Sequence, residues 1–126
     1  MNGLANIVHP ALIVRLHQTF RPGMSDLELY EATRGVWKVG PRREAVLYVL
    51  AVHAGIVQEV YEVHHWQPAG TDRYETRTFE PELLRGRSEF RGARASDEVR
   101  DRYIGKSVHQ YVPAGSQNPV AYVNVP

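Results

Sequence analysis

The chain contains no cysteine, two methionines, and only two lysines among its fifteen basic residues. Without cysteine there is no disulfide framework, no thiolate nucleophile and no sulfur ligand for a metal. A reducing compartment fits such a chain, and a cytoplasmic location is expected. No apolar run approaches the roughly 20 residues that a membrane-spanning helix needs. The N-terminal stretch MNGLANIVHPALIVRLHQTF is interrupted by His9, Pro10 and Arg15. It lacks a basic leader region and a small-residue cleavage site, so neither a signal peptide nor a membrane partner is expected. The common signatures of catalysis are missing too. There is no GxSxG elbow, HExxH helix, HxE deaminase motif or spaced carboxylate pair. Catalytic residues therefore stay unassigned, and neither a metal nor a cofactor is expected. A net charge of +1 argues neither for nor against nucleic acid.

With 126 residues, 43% hydrophobic and 23% charged, the chain is expected to form one globular domain over residues 1–126. Its most informative stretch is AVLYVLAVHAGIVQEVYEVHHW, residues 45–66. Residues 45–52 carry no charge and predict a strand buried on both faces. Gln58, Glu59 and Glu62 make residues 56–66 a half-buried partner strand of ordinary polar residues. Ala54-Gly55 joins the two, most simply as a type I turn closed by a glycine bulge. Upstream, Leu12, Ile13, Leu16 and Phe20 share helical spacing behind Pro10 and predict a first helix. Ser25 and Glu28 form a capping box that starts a second helix at Asp26, with Gly35 as its stop beyond Arg34. Residues 67–87 read as an irregular surface loop with a short strand at Tyr74–Phe79. Later elements are a strand at Glu89–Ala93, a short helix capped by Ser96, a strand at Val108–Val112 and a last strand from Pro119 to Val125. The order predicts an α+β fold, with a small curled antiparallel or mixed sheet and two N-terminal helices.

Several residue groups are candidates for chemistry. Arg34, Trp37, Lys38, Arg42 and Arg43 lie within ten residues that contain no acid. A tryptophan among cations and glycines is what stacking on a base and contact with phosphate require. The alternative is a helix end followed by a loop whose tryptophan closes the core. His64-His65-Trp66 cannot readily hold one metal, because neighbouring strand residues face opposite ways. Trp66 is a second candidate platform. Arg85, Arg87, Arg91 and Arg94 have only Glu89 to balance them, and Arg85, Arg87 and Arg91 have the parity to track a phosphate backbone if the strand is regular. Tyr103-Ile104-Gly105-Lys106-Ser107 resembles half of the GIY-YIG nuclease motif, with the other half too far away. It lacks the first glycine of a P-loop. Lys106 and Ser107 stay as phosphate contacts. Gly115-Ser116-Gln117-Asn118-Pro119 reads as a turn whose amides are also suited to base edges.

The segments ATRGVWKVG, YVLAVHAGIVQEVYEV and NPVAYVNV together resemble the PUA-like group that includes the EVE and ASCH domains. The resemblance covers about residues 25–125. It implies that the hairpin forms a barrel wall, that the late strand closes the barrel, and that one barrel end holds a flipped or modified base near Arg34, Trp37, Lys38 and Trp66. The expected function is a small module binding DNA or RNA and holding a base in a barrel-end pocket. The candidate nucleic-acid contacts are Arg34, Trp37, Lys38, Arg42, Arg43, Trp66, Arg87, Arg91, Lys106 and Ser107. A small hydrolase or nuclease using His64 or His65 beside a carboxylate is the alternative. A protein-interaction domain, including a homodimer, is a third.

Overall fold

The computed structural model describes residues 3–126, so Met1 and Asn2 of the expected domain lie outside it. Its strands are β1 (Ala11–Arg15), β2 (Gly35–Trp37), β3 (Tyr48–His53), β4 (Ile56–Pro68), β5 (Ser88–Arg94) and β6 (Val120–Val123). Its helices are α1 (Asp26–Arg34), α2 (Pro81–Leu84) and α3 (Asp97–Tyr103), with 3-10 turns at Pro41–Ala45 and His109–Tyr111. All six strands join one mixed sheet in the order β2-β5-β4-β3-β1-β6, which curls into a half-barrel. The single parallel pairing among them joins β1 to β3, and every other pairing is antiparallel.

β3 is buried on both faces, as its uncharged sequence requires. Leu50 and Val52 enter one apolar cluster, with Ile13, Val57 and Tyr103. Val49 and Ala51 enter the other, with Leu12, Val14, Tyr61 and Phe90. Ala54 and Gly55 both have positive φ, at 52° and 79°. The turn is therefore of type I′, not type I with a bulge; its backbone twist matches that of the two strands it joins.

The first predicted helix is instead the strand β1. Ala11, Leu12, Ile13 and Val14 are all 0% exposed because β1 lies between β3 and β6 with core on both sides. A short apolar run of this kind satisfies helical spacing and a doubly buried strand equally, and the β-branched Ile13 and Val14 favour the strand. The helix expected second is observed as α1, with both halves of the Ser25–Glu28 capping box formed. Within Val108–Val112 the chain forms a 3-10 turn at His109–Tyr111 rather than a strand. Tyr74–Phe79 forms no strand. Glu59 is not an ordinary polar-face residue: it is 6% exposed and accepts Nε of Arg100 at 2.8 Å.

Residues 69–80 are not a free loop, because two interior carboxylates hold their backbone. Glu89, on β5 and 0% exposed, accepts the N–H groups of Gly70 and Asp72, each at 2.9 Å. Glu31, on α1, accepts from the N–H of Glu75 at 2.8 Å and from the N–H and hydroxyl of Thr76 at 2.6 Å. Arg34 lies between them, 3.3 Å from Glu89 and 4.0 Å from Glu31, with its guanidinium 3.7 Å over the Tyr74 ring. Arg34 offsets part of the charge of both carboxylates, and the N–H and hydroxyl donors of residues 70–76 satisfy their oxygens, in an interior where an isolated ion would be too costly to bury.

Two outcomes follow from this cluster. Glu89→Gln leaves Arg34 only the more distant Glu31, at 4.0 Å, as a counter-charge and should lower unfolding stability by about 3–5 kcal/mol in chemical denaturation; a loss below about 1 kcal/mol would contradict the pairing. The Glu31 carboxyl is held below its ordinary value of 4.5: burial raises it, but the hydrogen bonds from Thr76 and Glu75 outweigh that. A carboxylate depressed in this way stabilises the fold fully above that ordinary value and loses its contribution as pH falls through the lower, folded-state value. Stability should therefore decline on acidification below about pH 4.5, and decline less steeply in Glu31→Gln.

Candidate nucleic-acid interface

The curl of the sheet brings its two free edges together. A cleft of about 420 Å³ lies between them, lined by Trp37 and Lys38 at the end of β2, Arg87 just before β5, and Asn118, Pro119 and Val120 leading into β6. Trp37 and Val120 also pack against the same apolar cluster, which marks that cluster as the inside of the curl.

Local chemistry sets each wall. Arg34, Gly35 and Trp37 follow one another without slack. Gly35 pairs with Glu89, whose Cβ would stand 2.9 Å from any Cβ added there, so only glycine passes this point without displacing the strand. Trp37 pairs with Ser88 and donates its indole N–H to the Thr33 carbonyl at 2.8 Å. Its polar atom is thereby satisfied inside the protein, and the half-buried ring offers its surface to the cleft. The opposite wall is held by Arg15 of β1. Its guanidinium donates to the carbonyls of Ser116 and Asn118 at 3.0 and 3.1 Å, and its backbone N–H to Pro119 at 2.7 Å. Asn118 Oδ1 accepts the Val120 N–H at 3.1 Å, closing the loop onto β6.

Three of the expected contacts, Trp37, Lys38 and Arg87, thus share one cleft. The others are placed elsewhere. Arg34 is 4% exposed and is the counterion of Glu89 and Glu31, so it is not available at the surface. Arg42 donates to the carbonyls of Val125 and Pro126 and lies over the Tyr122 ring, tying down the residues that follow β6. Arg43 sits 3.4 Å from Glu44. Trp66 packs edge-on against Phe90, its indole N–H buried without a partner.

Arg91 grips Asp72 through two hydrogen bonds of 2.6 and 2.7 Å, and these bonds push the Asp72 carboxyl well below the usual carboxylate range. The shared arginine face is not formed, because Arg87 lines the seam cleft and Arg91 a different one that also contains Asp72, Glu31 and Glu75. Lys106 borders a third cleft with Glu98 and Asp101. Ser107 Oγ contacts Nδ1 of His109 at 2.7 Å and accepts the His109 N–H at 3.4 Å, the local geometry of a turn cap.

His64 lies 3.5 Å from Glu62, with both side chains 55% exposed. That separation is longer than an ordinary N–H···O bond. Among the described residues, no three His, Asp or Glu side chains gather as a metal site, and no helix is long and apolar enough to cross a membrane.

Local sequence pattern does not mark one residue of the cleft, Asn118, or the residue that anchors its wall, Arg15. Asn118 was legible only as one amide in a turn-forming run. Arg15 stood inside an expected helix, and nothing marked it as the anchor of a loop about a hundred residues away in the chain. No family model, curated protein or solved structure matches the chain.

Proposed function

We propose that this protein is a small nucleic-acid-binding module that holds one base, natural or modified, in the seam cleft of its half-barrel. The observation that carries this reading is the convergence of Trp37, Lys38, Arg87 and Asn118 from both edges of the sheet onto one concavity. An aromatic face takes a base whatever its identity, and flanking cations take the phosphates. Lys38 and Arg87 have no ion-pair partner among the described residues, and no carboxylate lines the cleft. The clefts beside Arg91 and Lys106 contain acids that offset their cations. The curled mixed sheet and late edge strand also support a PUA-like relationship, which we propose on that ground. The wide His64–Glu62 separation in an exposed setting makes binding a better reading than hydrolysis.

Titration of a labelled single-stranded oligonucleotide at low salt tests the proposal. Trp37→Ala should weaken binding by roughly 1–3 kcal/mol, the usual worth of one stacked base. Lys38→Ala and Arg87→Ala should each weaken it and flatten the slope of log affinity against log salt by about 1. Both lysine and arginine variants should melt like the parent, since neither side chain has a partner to lose. Unchanged binding in all three variants would overturn the reading.

A further inference from the structure

The polar lining of the seam cleft is one-sided. Lysine and arginine are donors only. Asn118 has both functions, but the Val120 N–H can be met only by its carbonyl, so Oδ1 is turned to the backbone and the two amide hydrogens are left free. The Trp37 indole N–H is spent on Thr33. No Asp or Glu lines the cleft, so its side chains present hydrogen-bond donors to whatever enters.

The geometry points to a guanine base as the occupant, read through its O6 and N7 acceptors; this rests on the proposed base-binding function and specifies it. Guanine is the base whose major-groove edge presents two acceptors and no donor, and Arg or Lys is its usual partner. Adenine and cytosine present an amino donor on the corresponding edge, which here meets further donors. The usual exception is an asparagine pairing with adenine, which needs Oδ1 and Nδ2 side by side toward the base. Asn118 has turned its Oδ1 away. One of the two cations serves the guanine edge and the other the adjoining phosphate, while the ring lies on Trp37. The same donors accept inosine, which keeps O6 and N7. They bind less well to 7-deazaguanine, which lacks N7.

The test uses five-nucleotide single strands of deoxyadenosine whose central base is guanine, inosine, 7-deazaguanine, cytosine or adenine, titrated into the intact protein at fixed low salt. Guanine and inosine should bind about fivefold to a hundredfold more tightly than adenine and cytosine, with 7-deazaguanine between. Equal binding of all five strands would overturn the guanine assignment while leaving the base-binding function in place. No binding of any strand would overturn both. Asn118→Asp provides a second readout, because it keeps an oxygen for the Val120 N–H and exchanges the free donors for an acceptor. It should melt like the parent and lose part of the preference for guanine. A full preference retained in that variant would overturn the reading of Asn118.

Discussion

The internal ion pair between Arg34 and Glu89 is the constraint on which the rest of the site depends. Its two residues belong to different layers, since Arg34 ends α1 and Glu89 lies in β5. Glu89 also holds the backbone at Gly70 and Asp72, and Arg34 reaches Glu31, which holds Glu75 and Thr76. One buried ion-pair cluster thus closes the helix, the sheet edge and the 69–80 segment together. The edge strand β2 starts immediately after Arg34, so its short course is set by that anchor and by the close passage of Gly35 over Glu89. Trp37 and Lys38 reach the cleft as a consequence. Buried ion pairs often add little net stability, yet breaking one is expensive, which makes such a pair better suited to fixing a position than to strengthening a fold.

That arrangement divides the basic residues between two tasks. Arg34, Arg42 and Arg15 spend their guanidinium groups on internal carboxylates or on carbonyls of the chain. Arg91 and Arg100 are spent on Asp72 and Glu59. Arginine suits this work because its fork satisfies two acceptors at once. Lys38 and Arg87 remain uncompensated beside Trp37 in the seam cleft. The accumulation of positive charge in residues 34–43 therefore says less about binding than its density implies.

Much of the fold was legible because local chemistry and tertiary context agree. The Ser25–Glu28 box, the uncharged strand β3 and Gly55 in its turn each satisfy a local rule that the packing also needs, whereas Ala54 adopts a φ of 52° that its residue type does not announce, so the turn's place was legible and its type was not. β1 is ambiguous in sequence because burial on both faces removes the polar alternation that distinguishes strand from helix, leaving a run compatible with either. For the candidate site, Trp37 and Lys38 stand out from the acid-free run of cations and glycines around the tryptophan in residues 34–43. Arg34 was not separable from them, since the acids that bury it, Glu31 and Glu89, are 3 and 55 positions away and one of them is visible only through the sheet register. Arg87 and Arg91 share a parity in an ideal strand, but β5 begins only after Arg87, so the two face different clefts. The meeting of β2 with β6 depends on the curl of the whole sheet, which no local pattern encodes.

The most direct test of this account is an NMR titration of isotopically labelled protein with a short guanine-containing single strand. Shifts are expected for the Trp37 indole N–H, the Arg87 backbone amide and the Asn118 side-chain amide, while signals from Arg34 and from the Arg91–Asp72 pair stay in place. Shifts concentrated around Tyr30, His64 and Arg91, with the seam cleft silent, would contradict it.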